Sequence, residues 1–393
     1  MSLQNDKKCF RTICFAVLAM FLLGATTGTA KDKVKIGLIG EMSGPFAEFG
    51  AQFGGGVKAF QKLHGNEVVG KEVEVVIKDV GGPNPDVAKR LAQEFIVRDK
   101  VDILTGFGFT PNAAAVAPIA TEAKVPMIVM NAAAENLTAA SGYMVRTSFS
   151  LPSLVRPMAE WAFGQGHKKA YLIVSDYRPG HDVEAAFLKA FPEIGGEVVG
   201  NVRTPLMTVD FAPYMQKAKD VRPEMIFAFV NGGAPMASFL KAFREKGLAK
   251  EGIVVVGTGD LSTEPDLPVV GDAADDLVTS YPYSAEHDSD LNRQFVKAYK
   301  EARGPDTMPM IMAVGAFDAM AFIHAALEKT GGDTDGAKLI EAIKGMKLES
   351  PRGPIRIDPE TRDIVQNIYI RRVQKVGDHY GNVEFKTIEP TTR

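Results

Sequence analysis

The side chains best placed to hold a small solute are hydroxyls, amides, an acid and aromatics, and they stand in loops after short apolar runs. Gly106-Phe107-Gly108-Phe109-Thr110-Pro111-Asn112 puts a threonine where a helix N-cap belongs, with proline at the first helical position. Free backbone N–H groups at such a start, together with the helix dipole, favour a carboxylate. Thr110 is then an anion anchor or a plain helix cap, and Phe107 and Phe109 flank it as apolar walls. Loops at the carboxyl ends of strands in an open parallel sheet face the ligand crevice. That rule nominates Ser43 in Glu41-Met42-Ser43-Gly44-Pro45, Asn131 and Ala132 in 131–135, Tyr177 in 175–181, Asn231 in 231–235 and Asp260 in 257–263. Asn131 either adds a side-chain contact or stabilises its own turn.

Other chemistries lack their residues. Gly54-Gly55-Gly56 has no Gly-Lys-Ser/Thr ending and falls inside a helical pattern, so it is no phosphate loop. Gly106-Phe107-Gly108 lacks the third glycine of a dinucleotide fingerprint. The six histidines are scattered, without an HExxH pair or cysteine partners, which argues against a metal site. Ser43 and Ser175 lack a nucleophile elbow, and Asp275-Asp276 reads as a solvated turn. No catalytic constellation emerges. The expectation is a binding protein, not an enzyme, with no cofactor.

The elements that must position these loops alternate in type. Strands are expected at 34–40, 72–80, 101–105 and 125–130, with helices at 50–63, 86–99 and 112–123 between them. A second series has helices at 154–165, 182–191, 211–219 and 235–246, and strands at 169–174, 197–202, 225–230 and 253–256. Short Val/Ile-rich runs alternating with helical patterns indicate parallel α/β units. Runs such as Met127-Ile128-Val129-Met130 suit strands buried on both faces. Helices at 290–302, 314–329 and 336–346 follow, then strands at 355–357 and 364–374 around an Asp358–Asp363 hairpin turn. No low-complexity linker separates the parts, so two lobes joined by short crossovers are expected.

The chain has 393 residues, 24% charged and 46% hydrophobic, a globular balance. Its net charge is -3 with no basic block, which speaks against a nucleic-acid partner. The one long apolar run noted lies at the N-terminus and excludes a polytopic membrane protein. Lys7, Lys8 and Arg11 precede the apolar stretch 15–24, and Gly28-Thr29-Ala30 supplies small residues for cleavage. Residues 1–30 thus read as a signal peptide. Its removal takes three basic residues and one acid, leaving a net of -5 over 363 residues. Cys9 and Cys14 leave with it, so the mature chain holds no thiol or disulfide.

Four segments, in order behind that signal, resemble the branched-chain amino-acid (leucine/isoleucine/valine) binding family among the periplasmic substrate-binding proteins of ABC importers. They are IGLIGEMSGPFAEFG (36–50), DILTGFGFTPNAAAVA (102–117), PMIVMNAAAENLT (126–138) and AFDAMAFIHAALEKTG (316–331). The resemblance spans essentially the whole mature chain. It implies a type I periplasmic-binding fold, α/β, with two lobes of mostly parallel sheet flanked by helices and three crossovers near 146–150, 281–284 and 350–353. The lobes would be 31–147 with 281–350, and 148–280 with 351–393, the C-terminal hairpin joining the second. It also implies a periplasmic monomer that carries a small carboxylate-bearing solute, such as a branched-chain amino acid, to an inner-membrane ABC permease.

The site residues follow by position. Thr110 falls where the family has a serine for the solute's α-carboxylate. Ala132 falls where backbone groups meet it, and Phe49 where an aromatic lies near the solute's side chain. Tyr283 sits at a crossover, within reach of the cleft. Asp260 is at or one residue past the acid that holds the α-ammonium, and so either does that job or caps its turn. The chain departs from the pattern at Asn231-Gly232-Gly233-Ala234, where tyrosine is expected, and at Tyr177-Arg178-Pro179-Gly180, where Arg178 is a surface residue or a partner for an acid. Such small residues leave room, which opens a second ligand class of aromatic or other non-amino-acid carboxylates. A ligand-presenting sensor on the same fold, and an exported α/β enzyme, are the other readings.

Overall fold

The computed structural model describes residues 33–390, so the signal segment lies outside the described residues. The first sheet comprises β1 (Lys33–Gly40), β2 (Glu67–Val68), β3 (Lys71–Asp79), β4 (Ile103–Gly106), β5 (Met127–Val129) and β6 (Met144–Arg146). Their order is β2-β3-β1-β4-β5-β6, parallel throughout except β2 against β3. Ile36, Leu38 and Ile39 are all fully buried, as befits a central strand with helices on both faces.

The second sheet takes β7 (Lys169–Ser175), β8 (Glu197–Thr204), β9 (Met225–Phe229), β10 (Val254–Thr258) and β11 (Val278–Tyr281). A small antiparallel sheet of β12 (Lys347–Ser350), β13 (Gly353–Ile357) and β14 (Ile364–Gln366) follows in the chain. Then β15 (Ile368–Val376) and β16 (His379–Ile388) complete the second sheet, in the order β16-β15-β11-β10-β9-β7-β8. Only its β11/β15 and β15/β16 pairs are antiparallel.

The stretch 364–374, expected as one strand, is two. Asn367 is the step at which the chain leaves the small sheet for the large one. Strands β6, β11 and β12 are three or four residues long and escaped the pattern reading, as did β16. The small sheet is tied to first-lobe residues. Arg146 on β6 donates from Nε to Asp363 Oδ1 at 2.7 Å, and Arg362 Nε donates to the Met144 carbonyl at 3.2 Å.

A second apolar run, the helix Ile311–Thr330, is long and apolar enough by composition to cross a membrane. Here it is a core helix, packed along the helix Ala47–His64. The triple glycine lies inside that first helix, and a Cβ on Gly56 would stand 2.0 Å from the Ala313 carbonyl oxygen, so glycine permits the close approach. The acid in the apolar helix, Asp318, is matched by Arg352. Both are buried, 2.7 Å apart. Arg352 also donates to the carbonyls of Thr147 and Ser148, and the Tyr369 hydroxyl donates to the Arg352 carbonyl at 2.8 Å. One buried guanidinium therefore ties the chain after β6 to the chain before β15.

Candidate functional site

Order reverses beside β1 in the first sheet and beside β7 in the second, and loops at such switch points form the crevice. On the first-sheet side the chain turns sharply after β4. Phe107 has φ 67°, and its N–H donates to the Ile39 carbonyl at 2.9 Å. The helix Thr110–Ala123 begins one residue before Pro111, which the sequence reading took as its first residue, and two before the expected 112–123 span. Phe109 is its N-cap, without a side-chain cap, and Thr110 is its first residue. The Thr110 hydroxyl is thus not spent on its own helix. It accepts the Ala134 N–H from the neighbouring loop at 3.3 Å. Asn131 Nδ2 donates to the Gly108 carbonyl at 2.8 Å, and its Oδ1 is buried without a partner among the described residues. Arg146 Nη1, fully buried, fixes the same loop by donating to the Ala134 carbonyl at 2.7 Å.

Behind this turn lies Glu41, fully buried. Gly108 packs closely there, since a Cβ would stand 2.2 Å from Glu41 Oε2.

The second sheet contributes an acceptor-rich end. Tyr177 follows β7, Asn231 follows β9 and Asp260 follows β10. Asn231 Nδ2 donates to the Tyr177 hydroxyl at 3.1 Å, leaving Asn231 Oδ1 buried and unpartnered among the described residues. The Thr258 hydroxyl donates to Asp260 Oδ2 at 2.8 Å. Burial pushes the Asp260 carboxyl up to about 6, opposed by that hydroxyl, its own backbone N–H, the Arg371 charge and the Tyr281 hydroxyl. Burial likewise raises the Tyr177 phenol above its ordinary range.

Between these two ends is a narrow cleft with about 350 Å³ of space between atoms, part of it open to solvent. Its walls are aromatic. Phe49 and Phe109 stack with centroids 5.5 Å apart on one side, and Tyr177 and Phe229 at 6.0 Å on the other. Phe149 comes from the chain that leaves β6, and Met312 and Leu151 add apolar surface. The lobes also touch beside the cavity. The Glu135 N–H donates to Asp182 Oδ2 at 2.9 Å, and Arg178, exposed, pairs with the same Asp182 at 2.8 Å. A larger groove of about 1350 Å³ runs past His287, Arg293, Lys297 and Lys300, away from all of these loops.

Seven of the ten nominated residues line the cavity: Phe49, Phe109, Thr110, Asn131, Tyr177, Asn231 and Asp260. Ser43, Ala132 and Tyr283 are not among its lining residues. Ser43 is exposed, and its hydroxyl serves Asp79. Ala132 is buried beneath the loop, bonded through its N–H to the Phe107 carbonyl at 3.0 Å. Tyr283 is fully buried, its hydroxyl donating to Asn292 Oδ1 at 3.0 Å. Phe149, Phe229 and Met312 were missed. Phe149 fell inside an expected crossover and Phe229 within the expected strand 225–230, but nothing local marked Met312, which reaches the site from far along the chain. Among the described residues no group of His, Cys, Asp and Glu could hold a metal ion.

Residues 33–378 match the family described as periplasmic binding protein. The Leu/Ile/Val-binding protein homolog 6 of Brucella melitensis is 46% identical over 380 residues, 96% of this chain and 97% of the relative. A solute-binding protein of an ABC transporter from R. palustris, solved in complex with 4-hydroxybenzoate, is 45% identical with a TM-score of 0.88. The match covers 92% of this chain and 98% of that one. A solute-binding protein from Rhodopseudomonas palustris BisB5, solved in complex with 3,4-dihydroxybenzoic acid, is 48% identical with a TM-score of 0.88, covering 92% and 99%. Both of these solved relatives are solute-binding proteins of ABC transporters. With two such lobes around one cleft and a match along nearly all of the described residues, the chain belongs to the periplasmic binding protein family as the solute-binding component of an ABC transporter.

Proposed function

We propose that the cleft takes a small aromatic carboxylate of the hydroxybenzoate class, for delivery to an inner-membrane permease. In this reading the solute's carboxylate meets the Thr110 hydroxyl and the start of its helix, which favours an anion. The ring lies between the Phe49–Phe109 and Tyr177–Phe229 pairs, where flat faces suit one another. The ring hydroxyl faces Asp260 and Asn231 Oδ1, the acceptors at the far end. The observation that carries the reading is this aromatic box with an anion-favouring end and an acceptor end. The hydroxybenzoates held by two relatives at 45% and 48% identity support it. The signal segment 1–30 would bring the chain to the periplasm, where it would act as a monomer.

A branched-chain amino acid is the second reading, favoured by the name of the Brucella relative and by an acid in the second lobe. Against it, Asp260 Oδ2 already accepts the Thr258 hydroxyl at 2.8 Å, and the paired aromatic rings suit a flat solute better than a branched one.

Calorimetric titration of protein stripped of bound solute separates the two. Saturable one-to-one binding of 4-hydroxybenzoate, with no heat from leucine or valine, is expected. Binding of leucine or valine without 4-hydroxybenzoate would reverse the assignment.

A further inference from the structure

One carboxyl beside the cleft has no part in the reading above. Glu41, the first residue after β1, is fully buried. Asn112 Nδ2 donates to its Oε1 at 3.3 Å and to the Gly82 carbonyl at 2.9 Å. No well-formed hydrogen bond reaches Glu41 Oε2 or Asn112 Oδ1 among the described residues, and the backbone N–H groups of Glu41 and Gly108 only pull on the carboxyl. Gly108 is packed against Glu41 Oε2 and is itself part of the cavity wall. A carboxyl in so dry a place, with an unfilled oxygen, costs far more as an anion than as an acid.

We propose that Glu41 is a positioning residue that holds a proton behind the Gly108–Thr110 turn, and that loss of this proton weakens binding of the solute's carboxylate. The inference rests on the carboxylate reading of Thr110. As a neutral acid Glu41 supports the turn without opposing the anion in front of it. As a carboxylate it would place a like charge on the other side of one glycine, with little water to screen the pair.

The surroundings fit this sign. Burial pushes the Glu41 carboxyl up to about 8, against the pull of its own N–H, the Asn112 amide and the Gly108 N–H, with the Asp79 charge adding to the rise. Asp79 on β3 is the charged group that faces Glu41, the other neighbours being Asn112, the Gly82 carbonyl and the backbone of Gly50 and Gly108. Asp79 stays ionised through this range. Its burial is outweighed by bonds from the Ser43 hydroxyl and from backbone N–H groups of Met42, Gly81 and Ser43, which hold it below the ordinary carboxylate range. Solute binding then favours protonated Glu41, and by linkage the Glu41 contribution to affinity is flat below about 8 and falls above it.

The test is calorimetric titration of the whole mature protein with 4-hydroxybenzoate from pH 6 to pH 9.5, for wild type and Glu41→Gln, with 4-hydroxybenzamide as the uncharged probe. Wild-type affinity is expected to drop about tenfold between pH 7 and pH 9, and Glu41→Gln to lack that drop. Ionisation of the probe's own hydroxyl is common to both proteins, so their difference isolates Glu41. A second measurement needs no variant. Titrations at pH 8 in buffers of different ionisation enthalpy should show proton uptake of about half a proton per solute bound. Identical pH profiles in the two proteins, or no proton uptake by wild type, would overturn the proton role while tight, acid-selective binding left the carboxylate reading standing. Equal affinity for the acid and the amide would instead overturn the carboxylate reading beneath it.

Discussion

At Thr110 the hydroxyl accepts one N–H at 3.3 Å, a long bond that leaves the oxygen and its proton available to a solute. Thr110→Ala should therefore weaken binding of 4-hydroxybenzoate by about 1–3 kcal/mol, the cost of leaving a charged group short of a partner. Thr110→Ser should keep most of the affinity. Both are read by calorimetry, and an unchanged affinity in the alanine variant would move the carboxylate elsewhere. Asp260 sits at the opposite end, and its effect depends on charge. Its carboxyl, raised to about 6, ionises as pH rises through that value and becomes a stronger acceptor for a ring hydroxyl. The preference for 4-hydroxybenzoate over benzoate should grow between pH 5 and pH 7 in wild type, and be smaller and flat in Asp260→Asn. A parallel profile in the variant would show that the hydroxyl lies elsewhere. Thr110 was legible in the sequence because a Thr-Pro-Asn step after a strand has few other meanings. Its exact offset was not, since whether a threonine caps its helix or begins it depends on Ala134, 24 residues away.

At the scale of elements, the buried Arg352–Asp318 pair fastens two crossovers to the core helix Ile311–Thr330. Removing one partner leaves an uncompensated charge in the interior. Arg352→Met should cost about 3–5 kcal/mol of unfolding free energy in urea, and the double variant with Asp318→Leu should recover much of it. Equal losses in the single and double variants would show that the pair is not the unit that matters. Most parallel strands and their helices could be read from Val/Ile runs alternating with helical patterns, because β1, β4, β5, β9 and β10 are buried on both faces. Strands β6, β11 and β12 could not. With three or four residues each, they owe their form to the neighbours they pair with and not to a local pattern. The placement of the small sheet was equally hidden. Residues 352–363 are tied to residues 144–148 by Arg146, Arg352 and Arg362, whose partners lie some 200 residues away in the chain.

For the molecule as a whole, a cavity walled from both sheets and a Glu135–Asp182 bond beside it describe a closed arrangement. A solute that touches both sides only here should shift an open–closed equilibrium towards it. Small-angle scattering should show a smaller radius of gyration with 4-hydroxybenzoate than without. Asp182→Ala should bind more weakly while its bound form scatters like wild type, because only the population of the closed state has changed. The two-lobed plan was legible from the sequence, but Phe149, Phe229 and Met312 became neighbours only through it. The crystal structure of stripped protein soaked in 4-hydroxybenzoate bears most directly on the cleft's role. The expected density is a flat solute between Phe49 and Tyr177, its carboxylate within hydrogen-bond distance of Thr110 and its hydroxyl against Asp260. A solute turned end for end, or bound outside this cavity, would contradict the assignment.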